Sequence, residues 1–424
     1  MMPRELPGLY WDEDRQRYFP VSSKPKIVEK PRPTVSLPAK GVPRASRKNG
    51  FDSPGSRGLR SSRYFAQKDG ILHRILCSQI ASTSKSTRYT LPTLHGGSLT
   101  AFQTTTYNGC MWSFAGDSSG WFYSSLIDSE RESLGFHTSH GWRADFNLSS
   151  EISSICISGS LCIVTSFGPE SKILHFPLDS ESQAIHVIRI NPHAAHDVWT
   201  SDLRGSRLVL GANKQALVFR NGGQSRFEGL KTQSDVFAVT QDENAVYTGS
   251  RGGSILRFDM RLAGTKGQEI LGDTFTSKTN SVTNLKLLRD WQLLVANIDG
   301  SIATFDMRYL QARTPILTCF GHVNSYTTKT PLVIDTSEDF VFAAGQDRQV
   351  KVWSLRAGGS PLHYDRSPFP IFPPSPRNSN PFGIPFEHPI NALQVSEDKD
   401  GVSLWVTSHM NLHKYDLGQR GVAL

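Results

Sequence analysis

The chain has 424 residues, 38% hydrophobic and 20% charged, with a formal net charge of +8. That length suits two to four ordinary domains or one large repeat array, and no apolar run approaches the ~20 residues of a membrane-spanning helix. The positive excess lies entirely in residues 1–70, with 15 Lys+Arg against 7 Asp+Glu, ahead of a body that carries 31 charges of each sign.

At the amino terminus, Met1 to Glu5 lack the apolar stretch of a secretory signal. The five cysteines are odd in number with no paired spacing, so reduced thiols and a nuclear or cytoplasmic setting are expected. Residues 1–22 read as aromatic strand, charged turn, aromatic strand. A hairpin this short does not fold alone, and Tyr10, Trp11, Tyr18 and Phe19 are the side chains by which it would dock on the rest of the chain or on a partner. Residues 23–64 mix Pro, Lys, Arg and Ser and read as a disordered basic linker. Residues 65–87 form a short helical segment, because Leu72, Ile75, Leu76 and Ile80 recur at helical spacing.

From residue 88 to 424 the chain is read as all-β. Short runs such as Val246 to Thr248, Leu293 to Ala296 and Phe340 to Ala344 are separated by Gly, Asn, Asp or Ser. Three stretches align without gaps: Gly249 to Arg261, Ala296 to Arg308 and Ala344 to Arg356. Each predicts strand, tight turn, strand, ending in an aromatic residue. The aromatic recurs as Tyr123, Phe176, Phe219, Phe258, Phe305, Trp353 and Tyr415, at intervals of 53, 43, 39, 47, 48 and 62 residues. Seven units of roughly 40–45 residues with four strands each specify a β-propeller. A Pro-rich insertion at 357–389 widens the last interval. Closure of the ring leaves few exposed edges and needs a strand from the other terminus; Arg88-Tyr89-Thr90-Leu91 is placed to supply the outer strand of the last blade.

No catalytic constellation emerges. Gly116-Asp117-Ser118-Ser119-Gly120 fits the hydrolase pattern G-x-S-x-G, yet it falls on a strand-to-strand turn, where the nucleophile elbow needs strand-to-helix. The pairs His137/His140 and His193/His196 lack the further ligands of a zinc site. Phosphate-loop and dinucleotide patterns are absent from the sequence. The expectation is a protein without enzymatic activity, cofactor or metal.

The strongest interaction signal is Phe258-Asp259-Met260-Arg261, followed by Phe305-Asp306-Met307-Arg308 and Trp353-Ser354-Leu355-Arg356. Equivalent strands in successive blades put the three arginines on one face of the ring. Arginine offers planar bidentate contacts and is common at interface hot spots. The alternative is that Asp and Arg brace their own blade.

The repeats resemble WD40 repeats at Gly321-His322, Asp347 and Trp353. In that family a His, a turn Asp and a Trp share a buried hydrogen-bond network. Asp117 and Asp299 occupy the same turn in their units, while Ala343 or Ala344 stands where a Ser or Thr is usual, so the network is expected to be incomplete. The endings at Arg261, Arg308 and Arg356 look like the motif of propellers that dock on damaged-DNA-binding protein 1, the adaptor of cullin-4 ubiquitin ligases. Leu6 to Pro20 resembles the amino-terminal signature of the damaged-DNA-binding-protein-1- and cullin-4-associated factor 4 family. The resemblance implies a non-catalytic substrate receptor whose partners are the adaptor and a substrate protein. In related receptors a helix ahead of the propeller also grips the adaptor, and 65–80 is placed for that role. A rival expectation is a scaffold of a nuclear RNA or chromatin complex whose basic tail contacts phosphates.

Overall fold

Strand, tight turn, strand is the local unit that the sequence repeats, and a sheet of four such strands has two apolar faces to bury. In the computed structural model each sheet buries them against its neighbours in a ring. The structure describes residues 70–419 apart from short segments (84–85, 92–93, 95, 129–140, 180–184, 221–225, 263–265, 272–279, 310–313, 363–379, 383 and 399–400). It also describes the strands Leu9–Asp12 and Arg17–Pro20, which pair antiparallel with Tyr10 opposite Phe19 and Trp11 opposite Tyr18. The linker 23–64 and the first residues of the expected helical segment, 65–69, lie outside the described residues.

Seven blades follow in chain order, at 99–147, 152–189, 200–231, 236–271, 282–319, 332–354 and 390–418. Blades 1 to 5 are four-stranded meanders. Blade 7 takes its outer strand from the amino-terminal side: Ser86–Thr90 runs antiparallel to Asn411–Gly418, with Tyr89 opposite Leu412. It starts two residues before the expected Arg88. Among the described residues blade 6 has three strands, and the described ends of the Pro-rich insertion lie along its open side. Leu362 N donates to Val352 O at 2.8 Å and Phe386 N to Arg348 O at 2.8 Å.

The first strand of every blade is innermost and lines a central channel. Between blades the recurring aromatics are buried: Tyr123, Phe219, Phe258, Phe305 and Trp353 are each 2% exposed or less. Phe114 and Phe122 of blade 1 pack with Ile152, Val164 and Phe176 of blade 2. At the closing seam Trp405 and Leu412 of blade 7 meet Leu99, Phe102 and Tyr123 of blade 1. Removing this apolar surface from water is the dominant favourable term of the fold.

Glycine at the end of the second strand sets how closely blades approach. A Cβ at Gly116 would lie 2.5 Å from the Ile152 side chain, and one at Gly249 the same distance from Val282. Ile152 and Val282 are the first residues of the next blade's inner strand. We therefore expect Gly249→Val to wedge blades 4 and 5 apart and to cost about 1–3 kcal/mol, measured as a lower midpoint in urea unfolding.

Candidate functional site

Alternate strands reverse direction, so the first strand of each blade starts on one face of the ring and the third strand ends on the other. The three aligned arginines all follow third strands, at Ile255–Asp259, Ile302–Asp306 and Val350–Ser354. They share one face, here the lower face.

In blades 4 and 5 the aspartate that ends the strand shapes its own turn. Asp259 Oδ1 accepts the Arg261 backbone N–H at 3.0 Å, and Asp306 Oδ1 accepts that of Arg308 at 2.8 Å. The same carboxylates then hold the guanidinium groups in two-point contact, at 2.9 and 2.5 Å for Arg261 and 3.0 and 2.8 Å for Arg308. The Arg261 guanidinium holds the Asp259 carboxyl well below the usual carboxylate range, and Arg308 lowers that of Asp306. The arginine side chains stay 65% and 56% exposed. Being so accessible, these pairs add little to stability; what they do is fix the direction of two charged forks. Arg308 also lies 3.9 Å from the ring centre of Trp291, a cation–π contact.

Arg356 differs. Its strand ends in Ser354, whose hydroxyl accepts the Arg356 and Ala357 backbone N–H groups at 3.2 Å but offers no carboxylate. The guanidinium turns instead to Asp339 in the first turn of its blade, at 2.7 and 3.3 Å. Arg289 of blade 5 approaches the same carboxylate at 3.8 Å, and its backbone N–H donates to Glu338 at 2.6 Å. Arg261 and Arg308 therefore face outward beside their own aspartates, whereas Arg356 turns to Asp339 within blade 6, the carboxylate that Arg289 of blade 5 also approaches.

The helix spans 70–81 and packs on the lower face at blades 6 and 7. Its buried stripe is His73, Leu76, Cys77 and Ile80, one turn-pair pattern of i, i+3, i+4, i+7. Leu72 and Ile75, expected on that stripe, are 42% and 54% exposed, as is Ile71 at 59%. The stripe is rotated because His73 acts as an aromatic. Its ring stacks on Phe340 at 5.3 Å and its Nε2 lies 2.7 Å from Ser354 Oγ. Leu262 and Tyr309, which directly follow Arg261 and Arg308, are 62% and 69% exposed. An arc from blade 4 to blade 7 thus alternates oriented charge with exposed apolar side chains.

Sequence reasoning missed several of these residues. Leu262 and Tyr309 were within reach, one position beyond the repeat. Trp291 and Asp339 sit in first-strand turns with no repeated signature.

The His322, Asp347 and Trp353 side chains do not join in one network. His322 Nε2 pairs with Ala344 O at 3.1 Å, Trp353 Nε1 donates to Phe320 O at 2.9 Å, and Asp347 pairs with Lys351. Neither Ala343 nor Ala344 has the hydroxyl that would link them. Asp299 instead accepts from Asn280 Nδ2 at 2.8 Å. Asp117, fully buried, accepts from the Ser119 and Trp121 backbones and from Tyr123 Oη at 2.9 Å. The pentapeptide 116–120 joins two strands, and Ser118 Oγ accepts from Ser98 N at 3.2 Å. Among the described residues no cluster of three His, Cys, Asp or Glu side chains forms a metal site.

His73 makes the helix sensitive to acid. Burial, and then Arg356, lower its pKa, against opposing pulls from Asp339 and Asp335; Cys77 Sγ is the neighbour on its own helix. With the folded pKa depressed, the neutral ring is the docked form. Its contribution is present above the unfolded value of about 6.5 and is lost as pH falls through the folded value. Amide exchange across 74–81, corrected for intrinsic rates, is expected to speed up several-fold from pH 7 to pH 5.5, and His73→Phe is expected to abolish that dependence.

A profile of the DDB1- and CUL4-associated factor 4 beta-propeller domain matches residues 169–375, the part that contains Arg261, Arg308 and Arg356. Human DDB1- and CUL4-associated factor 4-like protein 2 is 28% identical over 172 residues, 39% of this chain and 42% of that protein. DDB1- and CUL4-associated factor 4 of Bos taurus is 33% identical over 149 residues, 34% of this chain and 28% of that protein. The chain thus spans less than half the length of these curated relatives. Among solved structures, the WD40 beta propeller domain of Doa1 superposes with a TM-score of 0.55 at 15% identity, covering 79% of this chain and 96% of that domain. The chain is a WD40-type seven-bladed β-propeller protein similar to DDB1- and CUL4-associated factor 4.

Proposed function

We propose that the protein is a non-catalytic interaction scaffold and, more specifically, a substrate receptor that docks on the DDB1 adaptor of a cullin-4 ubiquitin ligase. The observation that carries this reading is the pair Arg261 and Arg308. Both sit at one repeat position in adjacent blades, each is aimed outward by its own aspartate, and each is followed by an exposed apolar residue. Oriented arginines beside desolvatable apolar groups are the composition of interface hot spots. The names of the similar proteins supply the class of partner.

In this reading the lower face takes the adaptor, with the helix stripe Ile71, Leu72 and Ile75 adding apolar contact. The opposite, upper face is left for a substrate protein. Ubiquitin transfer takes place on other subunits, and the receptor acts by raising the local concentration of a substrate lysine. The setting would be the nucleus or the cytoplasm.

Co-purification of DDB1 from cell extracts tests the reading. Arg261→Ala/Arg308→Ala should reduce recovery by roughly ten-fold or more, the scale of hot-spot loss. Arg251→Ala, an exposed arginine on the upper face, should leave it unchanged. Undiminished recovery with the double variant would count against adaptor docking through this face.

A further inference from the structure

The central channel opens on the upper face into a site that the adaptor contacts do not use. Three aromatic side chains from successive blades line one side of it: Phe167 of blade 2, Trp199 at the start of blade 3 and Phe237 of blade 4. The Phe167 and Trp199 rings are 4.6 Å apart and the Trp199 and Phe237 rings 4.9 Å. Trp199 Nε1 is buried and donates to no protein acceptor. An indole N–H is a donor only, and leaving it unpaired away from water is costly.

Across the mouth lies an ion pair. Lys329 Nζ is 3.2 Å from Glu151 Oε1 and 3.4 Å from Ile152 O. Glu151 leads into blade 2 and Lys329 into blade 6, and blades 7 and 1 separate these around the ring. The pair therefore bridges the opening and is not a contact between neighbours. Its two side chains are 39% and 40% exposed, while the surrounding protein disfavours the lysine charge and Glu151 opposes that shift. Both hold together because the ammonium group sits inside the channel, in touch with solvent and ringed by protein.

Three observations fix the ligand chemistry. The charged side chains that line the site are two lysines, Lys286 and Lys329, against one carboxylate, Glu151. The unpaired polar atom of Trp199 is a donor. The apolar surface is aromatic, built from the Phe167, Trp199 and Phe237 rings, and suits a large apolar side chain. A cation would suit the rings but would meet the like charge of Lys329 at the mouth. A carboxylate meets the Lys329 ammonium beside the aromatic rings, while Lys286, further down its strand, is matched by Asp202.

We infer that the upper mouth of the channel binds a peptide carboxylate adjoining a large apolar side chain, with Lys329 taking the carboxylate in exchange for Glu151. This deepens the receptor reading by naming the kind of segment captured, and rests on that reading only for the use made of it. Peptide binding here and adaptor capture on the lower face are measured separately, so either fails without the other.

The test is NMR of the Trp199 indole N–H in the full chain labelled with 15N-tryptophan, assigned with Trp199→Phe. Four acetylated tripeptides serve as probes: Gly-Gly-Phe with a free terminal carboxylate, Gly-Phe-Asp amide, Gly-Gly-Phe amide and Gly-Phe-Lys amide. At least one carboxylate peptide should shift the resonance saturably, with the neutral and cationic amides about ten-fold weaker or worse. A shift by the first alone assigns a chain terminus, by the second alone an internal acidic residue, and by both a site that takes either. Lys329→Gln should weaken the carboxylate peptides about ten-fold and Lys329→Arg should restore them. Glu151→Gln should tighten them several-fold, because the tethered competitor is gone. Equal binding of acid and amide, preference for the lysine peptide with loss in Glu151→Gln, or no shift by any probe at millimolar concentration would each overturn the proposal.

Discussion

Pairing of Ser86–Thr90 with Asn411–Gly418 closes the ring, and the constraint that the two ends of the chain meet in one sheet underlies the arrangement of the blades. Arg88 Nε and Thr90 Oγ1 both reach Asn411 Oδ1, at 3.1 and 3.0 Å, from more than 300 residues away. Without this strand the third strand of blade 7 is an open edge, and the seam of Trp405 and Leu412 against Leu99, Phe102 and Tyr123 loses its outer support. Propeller blades have no core of their own. Their stability is shared around the circle, so a local defect at one seam propagates as looser packing at its neighbours.

The two faces of the ring follow from the same strand reversal and carry different chemistry. Below, short Asp–Arg and Arg–Trp contacts orient charge at the rim of blades 4 and 5, and an apolar helix lies over blades 6 and 7. Above, the rim turns inward to aromatic rings and a bridging ion pair. Arg356 shows how one substitution alters a repeat position: with Ser354 in place of aspartate, the arginine turns to Asp339 in the first turn of the same blade.

Much of this was legible in the residues. The recurring aromatic gave the number of blades, and the strand before the first unit was readable as the closing piece. Period-2 strands ending in tight turns leave little freedom in register. The helix face was misread because periodicity counts aliphatic side chains, and His73 enters the buried stripe through ring stacking and a hydroxyl contact. The His322, Asp347 and Trp353 network was inferred from residue identity, but hydrogen bonding depends on partners. With alanine at 343 and 344, His322 and Trp353 turn to separate backbone carbonyls, those of Ala344 and Phe320. The channel site had no linear signature at all, since Glu151, Phe167, Trp199, Phe237 and Lys329 converge only after the ring has closed.

The helix at 70–81 and the closing strand at 86–90 are nearly contiguous in the chain. The helix's seat on Phe340 and Ser354 is thereby tethered to the strand that zips onto the last blade. A partner that contacted both the helix and the arginines of blades 4 and 5 would bind a surface whose two halves are joined through the closing strand. Loss of the closing strand would cut that tether, so closure of the circle and the surface formed around the helix are mechanically coupled.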